Sequence, residues 1–144
     1  MNKYIDVPAL MSLLYNFLGC SNYRILSEAD RNKNFRRRIF NRPKCDDNRL
    51  PKAWYRFTGA AGRQMPTQCV ARSHCGTTVP GWLSGGHPTV AQGVVQRTVC
   101  FSVSRCCQWS RSIRVQNCGA FFVYEFSGTP GCSFRYCGDS GLGK

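Results

Sequence analysis

The sequence contains no Cys-x-x-Cys pair, no Asn-x-Ser/Thr acceptor and no apolar run near the about 20 residues that a membrane-spanning helix needs. It also has only two histidines and seven carboxylates. Each shortage removes a class of function. Structural zinc sites draw two ligands from one tight turn, and no turn here offers them. The residual metal set, Cys69, His74 and Cys75 with a remote fourth ligand, is outweighed by disulfide formation, so no metal is expected. His74 and His87 read as surface or hydrogen-bonded side chains. The carboxylates are scattered, with no pair placed as acid and base. Gly59-Ala60-Ala61-Gly62 lacks the further glycine and the lysine of a phosphate-binding loop and reads as a turn. No cofactor is expected, and no internal repeat is visible.

What the chain does have is cysteine. Ten cysteines in 144 residues is several times ordinary usage, and the number is even. A reducing compartment keeps thiols free, so the composition points outside the cytosol, to a secreted or extracellular domain. The adjacent Cys106 and Cys107 are poorly placed to chelate one ion together, but each can bridge to a different part of a fold. The length fits one compact unit.

The second excess is positive charge, a formal +13 from 20 Lys and Arg against 7 Asp and Glu. Ten of the basic residues fall between Arg31 and Arg56, where the only acids are Asp46 and Asp47. Residues 31–52 have no hydrophobic period and contain Pro43 and Pro51, so they read as a flexible basic loop. Arg36, Arg37, Arg38, Arg42 and Lys44 are its candidate contacts for a polyanion, a sulfated glycan or an acidic surface. Trp54, Tyr55, Phe57, Trp82 and Trp109 offer stacking surfaces, but disulfide-forming conditions are foreign to most nucleic-acid-binding proteins, and no nucleic-acid partner is expected.

Two readings of residues 1–19 stand side by side. Lys3 ahead of the apolar segment from Pro8 to Leu18 is the layout of a secretory signal, although Asp6, Ser12 and Asn16 fit it poorly. Leu10, Leu13, Leu14, Phe17 and Leu18 equally follow the spacing of an amphipathic helix with Gly19 as its C-terminal cap. Ile25 to Arg31 reads as a short helical turn with Ser27 as cap.

From Ala53 the texture becomes aromatic and β-branched, in short runs broken by Gly and Pro, as strands and turns require. Trp54 to Phe57 is the first run. In Val94 to Val103, Val95, Val99, Phe101 and Val103 occupy one side and Gln96, Thr98 and Ser102 the other. Ile113 and Val115 repeat the alternation against Arg114 and Gln116. Phe121 to Phe126 predicts a central strand, and Phe134 with Tyr136 a last one. The fold class is mainly β: a small disulfide-rich domain with short antiparallel strands and one or two short helices.

The string Gly138-Asp139-Ser140-Gly141 resembles the nucleophile motif of trypsin-like proteases. A triad needs an oriented base and an oxyanion hole on a substrate-binding scaffold, which a serine four residues from the end of this sequence does not have. Residues 139–144 read instead as a polar tail, and the chain as non-enzymatic.

A more extensive resemblance runs through the second half. Ala53-Trp54-Tyr55-Arg56-Phe57-Thr58-Gly59-Ala60-Ala61-Gly62 and Met65-Pro66-Thr67-Gln68-Cys69 are followed by Cys75-Gly76-Thr77, Pro80-Gly81-Trp82-Leu83 and Gly86-His87-Pro88. Cys106-Cys107-Gln108-Trp109, Phe122-Val123-Tyr124 and Cys132 to Cys137 come next. In this order the motifs resemble the cysteine-rich domain shared by uromodulin, pancreatic zymogen-granule glycoprotein 2 and oncoprotein-induced transcript 3, over residues 20–138. The resemblance implies a secreted or membrane-displayed, non-catalytic β domain that binds an extracellular protein or glycan. It also implies the pairings Cys20 with Cys118, Cys45 with Cys132, Cys69 with Cys106, Cys75 with Cys137, and Cys100 with Cys107. The family's glycan position falls on Ser84, which is no acceptor, so a glycan-decoy role is not implied for this chain.

Overall fold

A computed structural model describes residues 19–141. The alternatives for residues 1–19 fall outside the described residues except at Gly19, as does the end of the tail expected at 139–144. The domain is mainly β. Seven strands, β1 (Arg24–Leu26), β2 (Ala53–Phe57), β3 (Val79–Ser84), β4 (Val94–Phe101), β5 (Trp109–Asn117), β6 (Phe122–Phe126) and β7 (Phe134–Tyr136), form one sheet in the order β1-β2-β6-β5-β4-β3-β7. The two outermost pairings, β1 with β2 and β3 with β7, are parallel and the others antiparallel.

The longest register, Val94↔Gln116 through Phe101↔Trp109, follows directly from the alternating runs. Val99, Phe101, Ile113 and Val115 face the core. The run at 121–126 becomes β6, flanked by β2 and β5, with Val123, Tyr124 and Phe126 fully buried. The sheet curls upon itself. Phe126 on β6 stacks on Tyr136 of the far edge strand at 3.9 Å between ring centroids. Asn32, beyond β1, pairs with Gly138, beyond β7, so the two edges meet. Tyr55, Phe57, Phe101 and Leu83 complete this interior. Each such aromatic contact is worth about 0.5–1.5 kcal/mol beyond the apolar area it removes from water.

The helical turn expected over 25–31 is instead β1 followed by a single 3-10 turn, Ala29–Arg31, preceded by Glu28 with no side-chain cap. Leu26 decides the difference: it is buried in the main core, and the parallel pairing with β2 puts it there. Among the described residues after 21, the only other helical elements are 3-10 turns at Gly59–Ala61 and Val90–Gln92.

Strand β3 is the element the periodicity hides, because Pro80 and Gly81 interrupt it. The β4 register begins only at Gly81, which leaves Pro80 outside that ladder. A Cβ on Gly81 would lie 2.7 Å from the Phe101 ring, so the close approach of β3 to β4 needs glycine. Ser102, expected on the solvent side, is buried. Its hydroxyl accepts from Trp82 Nε1 at 3.1 Å and donates to Cys106 O at 2.9 Å, which holds the turn bearing the paired cysteines. Gln116, expected outward, is buried too.

Residues 31–52 contain no strand, and they are not a free excursion. Lys44 N–H bonds to Gly76 O at 2.9 Å, Asp46 N–H to Phe134 O at 2.9 Å, and Thr129 N–H to Asp46 O at 2.7 Å. The expected tail also begins inside the fold. Arg63 N–H donates to Asp139 O at 2.9 Å, and Asp139 N–H to Gln64 O at 2.6 Å. The backbone of Asp139 passes 2.4 Å from where a Cβ of Gly62 would stand, and Gly62 has φ +103°, so that turn needs glycine on both counts. The folded unit therefore runs through Asp139.

Candidate functional site

The structure sorts the basic segment by partner. Arg31, its first member, is only 3% exposed and is taken up entirely by the fold. Its guanidinium grips the equally buried Asp46 in a two-point contact at 2.6 and 3.0 Å and also donates to Tyr136 O at 3.0 Å. Asp46 accepts in turn from Tyr136 N–H at 2.8 Å. Burial alone would lower the Arg31 pKa, but the Asp46 and Glu28 carboxylates together outweigh it and hold the guanidinium more firmly charged. Arg135 donates to Asp30 at 2.9 Å and to Cys75 O at 3.0 Å. Burial, with the Arg31 charge nearby, lowers Arg135. Lys44 also pairs with Asp30. Burial would raise the Asp30 carboxyl, yet the Lys44 hydrogen bond and the Arg135 charge together hold it below the usual range. Arg49 pairs with Asp47 at 3.1 Å, and Arg56 lies 3.9 Å over the Phe121 ring.

What is left for a ligand is smaller and more ordered than the count of ten implies. Arg36, Arg38 and Arg42 are exposed. Arg42 and Lys44 line a cleft of about 760 Å³ together with Arg49 and Leu50, floored by the Arg31–Asp46 pair. Arg36, Arg37 and Arg38 surround a separate hollow with Ile39, Phe40 and Ser73. A third depression, shared by Arg37, Phe40, Arg42 and Lys44, joins the two. The five candidate residues thus lie along one continuous surface rather than converging on a point. Ile39 and Phe40, at 91% and 97% exposure, belong to that surface and were overlooked by a reading of the charges alone. Their signal in the sequence is an apolar pair inside a basic run.

The cysteines are all bridged: Cys20–Cys118, Cys45–Cys132, Cys69–Cys106, Cys75–Cys137 and Cys100–Cys107, with Cα separations from 4.7 to 5.7 Å. Cys45–Cys132 fixes the basic segment beside the loop that precedes β7. Cys69 and Cys75 are therefore bridged at opposite ends of the residual metal set, and among the described residues no three His, Cys, Asp or Glu side chains converge. Ser140 Oγ accepts from Asn32 Nδ2 at 3.3 Å. His74 Nδ1 faces the carbonyls of Ala71 and Arg72, and His87 faces Tyr124, so neither ring is hydrogen-bonded to that serine. Ser84 ends β3, paired with Thr98. Of the aromatic side chains, Tyr55 and Phe57 are core, Trp54 lies under the Arg114 guanidinium, and Trp82 spends its N–H on Ser102 and Cys106 O; Trp109 remains 45% exposed.

His87 has a structural task. Met65 N–H donates to the Tyr124 hydroxyl oxygen at 2.9 Å, and the hydroxyl hydrogen is left for His87 Nε2 at 2.7 Å, which must be unprotonated to accept it. Burial, reinforced by the Arg97 charge and opposed by Asp139, lowers the His87 pKa to about 4. The unfolded chain binds this proton near pH 6.5, so the contribution is complete above pH 6.5 and is lost as pH falls toward 4. A loss of about 2–3 kcal/mol across that window is expected. Urea midpoints between pH 7 and pH 4 measure it, and His87→Gln should flatten the dependence even though it lowers stability at pH 7.

The motifs that run from β2 through β7 now have a spatial meaning: they are the sheet, its glycine contacts and the cysteines that tie its edges. Residues 55–138 match the family model of the uromodulin-like cysteine-rich domain. The chain belongs to that family. Among similar curated proteins, the pancreatic secretory granule membrane major glycoprotein GP2 of Canis lupus familiaris is 42% identical over 123 residues, 84% of this chain and 23% of that protein. Uromodulin of Mus musculus is 44% identical over 88 residues, 60% of this chain and 14% of that protein. The GP2 protein of Homo sapiens is 38% identical over 123 residues, covering 84% of this chain and 22% of its own length. The chain thus spans less than a quarter of the length of these relatives. It is a disulfide-rich extracellular module of the uromodulin-like kind. The family model begins at Tyr55, whereas the alignment with canine GP2, at 84% of this chain, takes in the basic segment as well. No helix among the described residues is long and apolar enough to cross a membrane.

Proposed function

We propose that this uromodulin-like domain is a secreted, non-catalytic interaction module that engages an extracellular protein or glycan in host defence, adhesion or matrix assembly. The observation that carries the reading is family membership: the chain shares its cysteine-rich domain with uromodulin and with a glycoprotein named for the secretory granule membrane. A surface held by five bridges supports it physically, because a ligand face that is already rigid loses little conformational entropy when it binds. Ser84 is no glycan acceptor, although the resemblance implies a glycan at that position, and this directs the reading toward contacts made by protein side chains.

Two measurements test it. Non-reducing mass mapping of the protein recovered from the medium of expressing cells should find no free thiol; a cytosolic product with free thiols would sink the reading. A glycan and matrix-protein array should return ligands whose binding survives Ser140→Ala, and a hydrolysis abolished by that substitution would make the protein an enzyme instead. Binding confined to sulfated polymers, falling steeply with salt and lost in Arg36→Ala/Arg38→Ala/Arg42→Ala, would transfer the function to the exposed arginines.

A further inference from the structure

The apolar tip of the basic segment is built as a presented element. Asn41 N–H bonds to Arg38 O at 3.0 Å, which closes a turn with Ile39 and Phe40 at its two central positions. Those positions ordinarily hold Gly, Pro, Asn, Asp or Ser, whose backbone or side-chain preferences favour the turn. Here they carry two large apolar side chains, 91% and 97% exposed, with no core to enter. The turn is also held in place. Arg37 N–H bonds to Ser73 O at 2.8 Å, and its guanidinium reaches over the turn to Asn41 O at 2.8 Å, while Arg36 pairs with His74 through the backbone. Arg37 is thereby structural, whereas Arg36 and Arg38 on one side and Arg42 on the other remain exposed around the apolar pair.

We infer that this turn is a membrane-docking knuckle: Ile39 and Phe40 enter the headgroup–acyl boundary of an anionic bilayer while Arg36, Arg38 and Arg42 contact its phosphate and carboxylate headgroups. The chemistry selects that partner by two features at once. A sulfated polymer satisfies the arginines but leaves the apolar pair in water, and a neutral bilayer accepts the apolar pair but gives the guanidinium groups no counter-charge. An anionic bilayer accommodates both, in the same combination of apolar face and cationic rim by which amphipathic segments lie in the interface. The net charge of +13 brings the whole domain toward such a surface before the tip engages. The inference goes beyond the interaction-module reading and stands or falls separately from it.

The test uses the oxidised full chain in co-sedimentation with vesicles of phosphatidylcholine containing about 30 mol per cent phosphatidylserine, a strongly anionic surface, with pure phosphatidylcholine vesicles and immobilised heparin in parallel. The wild-type protein is expected on the anionic vesicles and not on the neutral ones. Ile39→Ser/Phe40→Ser should lower vesicle partitioning by roughly tenfold or more, a change of about 1.4 kcal/mol per decade, while retention on heparin stays within about twofold. Arg36→Ala/Arg38→Ala/Arg42→Ala should lose both. The substituted side chains are exposed, so thermal midpoints within a few degrees of wild type are expected and confirm that the variants fold. Vesicle binding unchanged in the Ile39/Phe40 variant would reduce the knuckle to plain electrostatics and overturn the inference. So would absence of wild-type binding to anionic vesicles at low salt.

Discussion

Full reduction is expected to unfold the domain at neutral pH, and removal of single bridges should rank by loop length and burial. Four of the five bridges close sequence separations of 98, 87, 62 and 37 residues, and Cys100–Cys107 closes only 7. Chain-entropy reasoning puts each long closure at about 4–5 kcal/mol and the short one at about 2–3 kcal/mol, against a net stability of roughly 5–15 kcal/mol for a whole domain. The loops overlap, so these figures do not add, but losing all five together exceeds what the core retains. Cys100→Ala/Cys107→Ala should therefore be the mildest paired deletion. Cys75→Ala/Cys137→Ala should be among the most severe, because both sulfurs are fully buried and their loss opens a cavity as well. Graded reduction at neutral pH adds an ordering. Cys69 and Cys106 are both exposed, so that bridge should open first to a phosphine reductant, and Cys75–Cys137 should resist longest. Mass mapping after trapping with an alkylating agent reads the order, and urea midpoints read the ranking. Equal midpoint losses for the short and the long bridges would refute the entropic account.

The strands that the sequence makes legible are those with one face in the core. Val99 and Phe101, Ile113 and Val115, and the apolar run of β6 announce themselves because period-2 burial is written directly into residue type. Strand β3 does not, since Pro80 and Gly81 are there for a ladder that starts late and a ring that passes close. The charge cluster is legible as composition but not as function. Arg31 and Asp46 look like any solvated pair in a polar loop, and nothing local distinguishes them from Arg49 and Asp47, which pair at the surface. What separates them is Tyr136, some ninety residues further along, whose backbone needs both partners. Long-range satisfaction of a backbone group leaves no periodic trace. The same holds for the turn at Ile39 and Phe40, whose exposure depends on where Ser73 and His74 lie in space. Counting arginines gave the sign of that surface; only the fold divides it into ion pairs, a cleft and an apolar tip.

Asp46→Ala should be the most damaging single side-chain substitution in the basic segment, at about 3–5 kcal/mol, with urea midpoints as the measure. The change strands the Arg31 guanidinium, 3% exposed, without its counter-charge, and it orphans the Tyr136 N–H inside the curled sheet. Buried ion pairs in general can be replaced by apolar residues of similar volume at little cost, because the desolvation of both charges disappears with them. Here that rescue should be incomplete. Arg31 and Asp46 together supply both hydrogen bonds to the Tyr136 peptide groups, one to its carbonyl and one from its N–H, so Arg31→Met/Asp46→Leu removes the charges and leaves both backbone groups unsatisfied. Each such group costs about 1–3 kcal/mol. The double variant is expected to recover part of the Asp46→Ala loss and to remain less stable than wild type, with a coupling energy that marks the two sites as one unit. Lys44 and Asp30 provide the contrast. That pair lies nearer solvent, and Lys44→Ala should cost no more than about 1 kcal/mol because Arg135 still holds Asp30. A double variant as stable as wild type would show that the pair contributes charge but not support to the edge strand. A large loss in Lys44→Ala would move the anchor of the segment from Asp46 to Asp30.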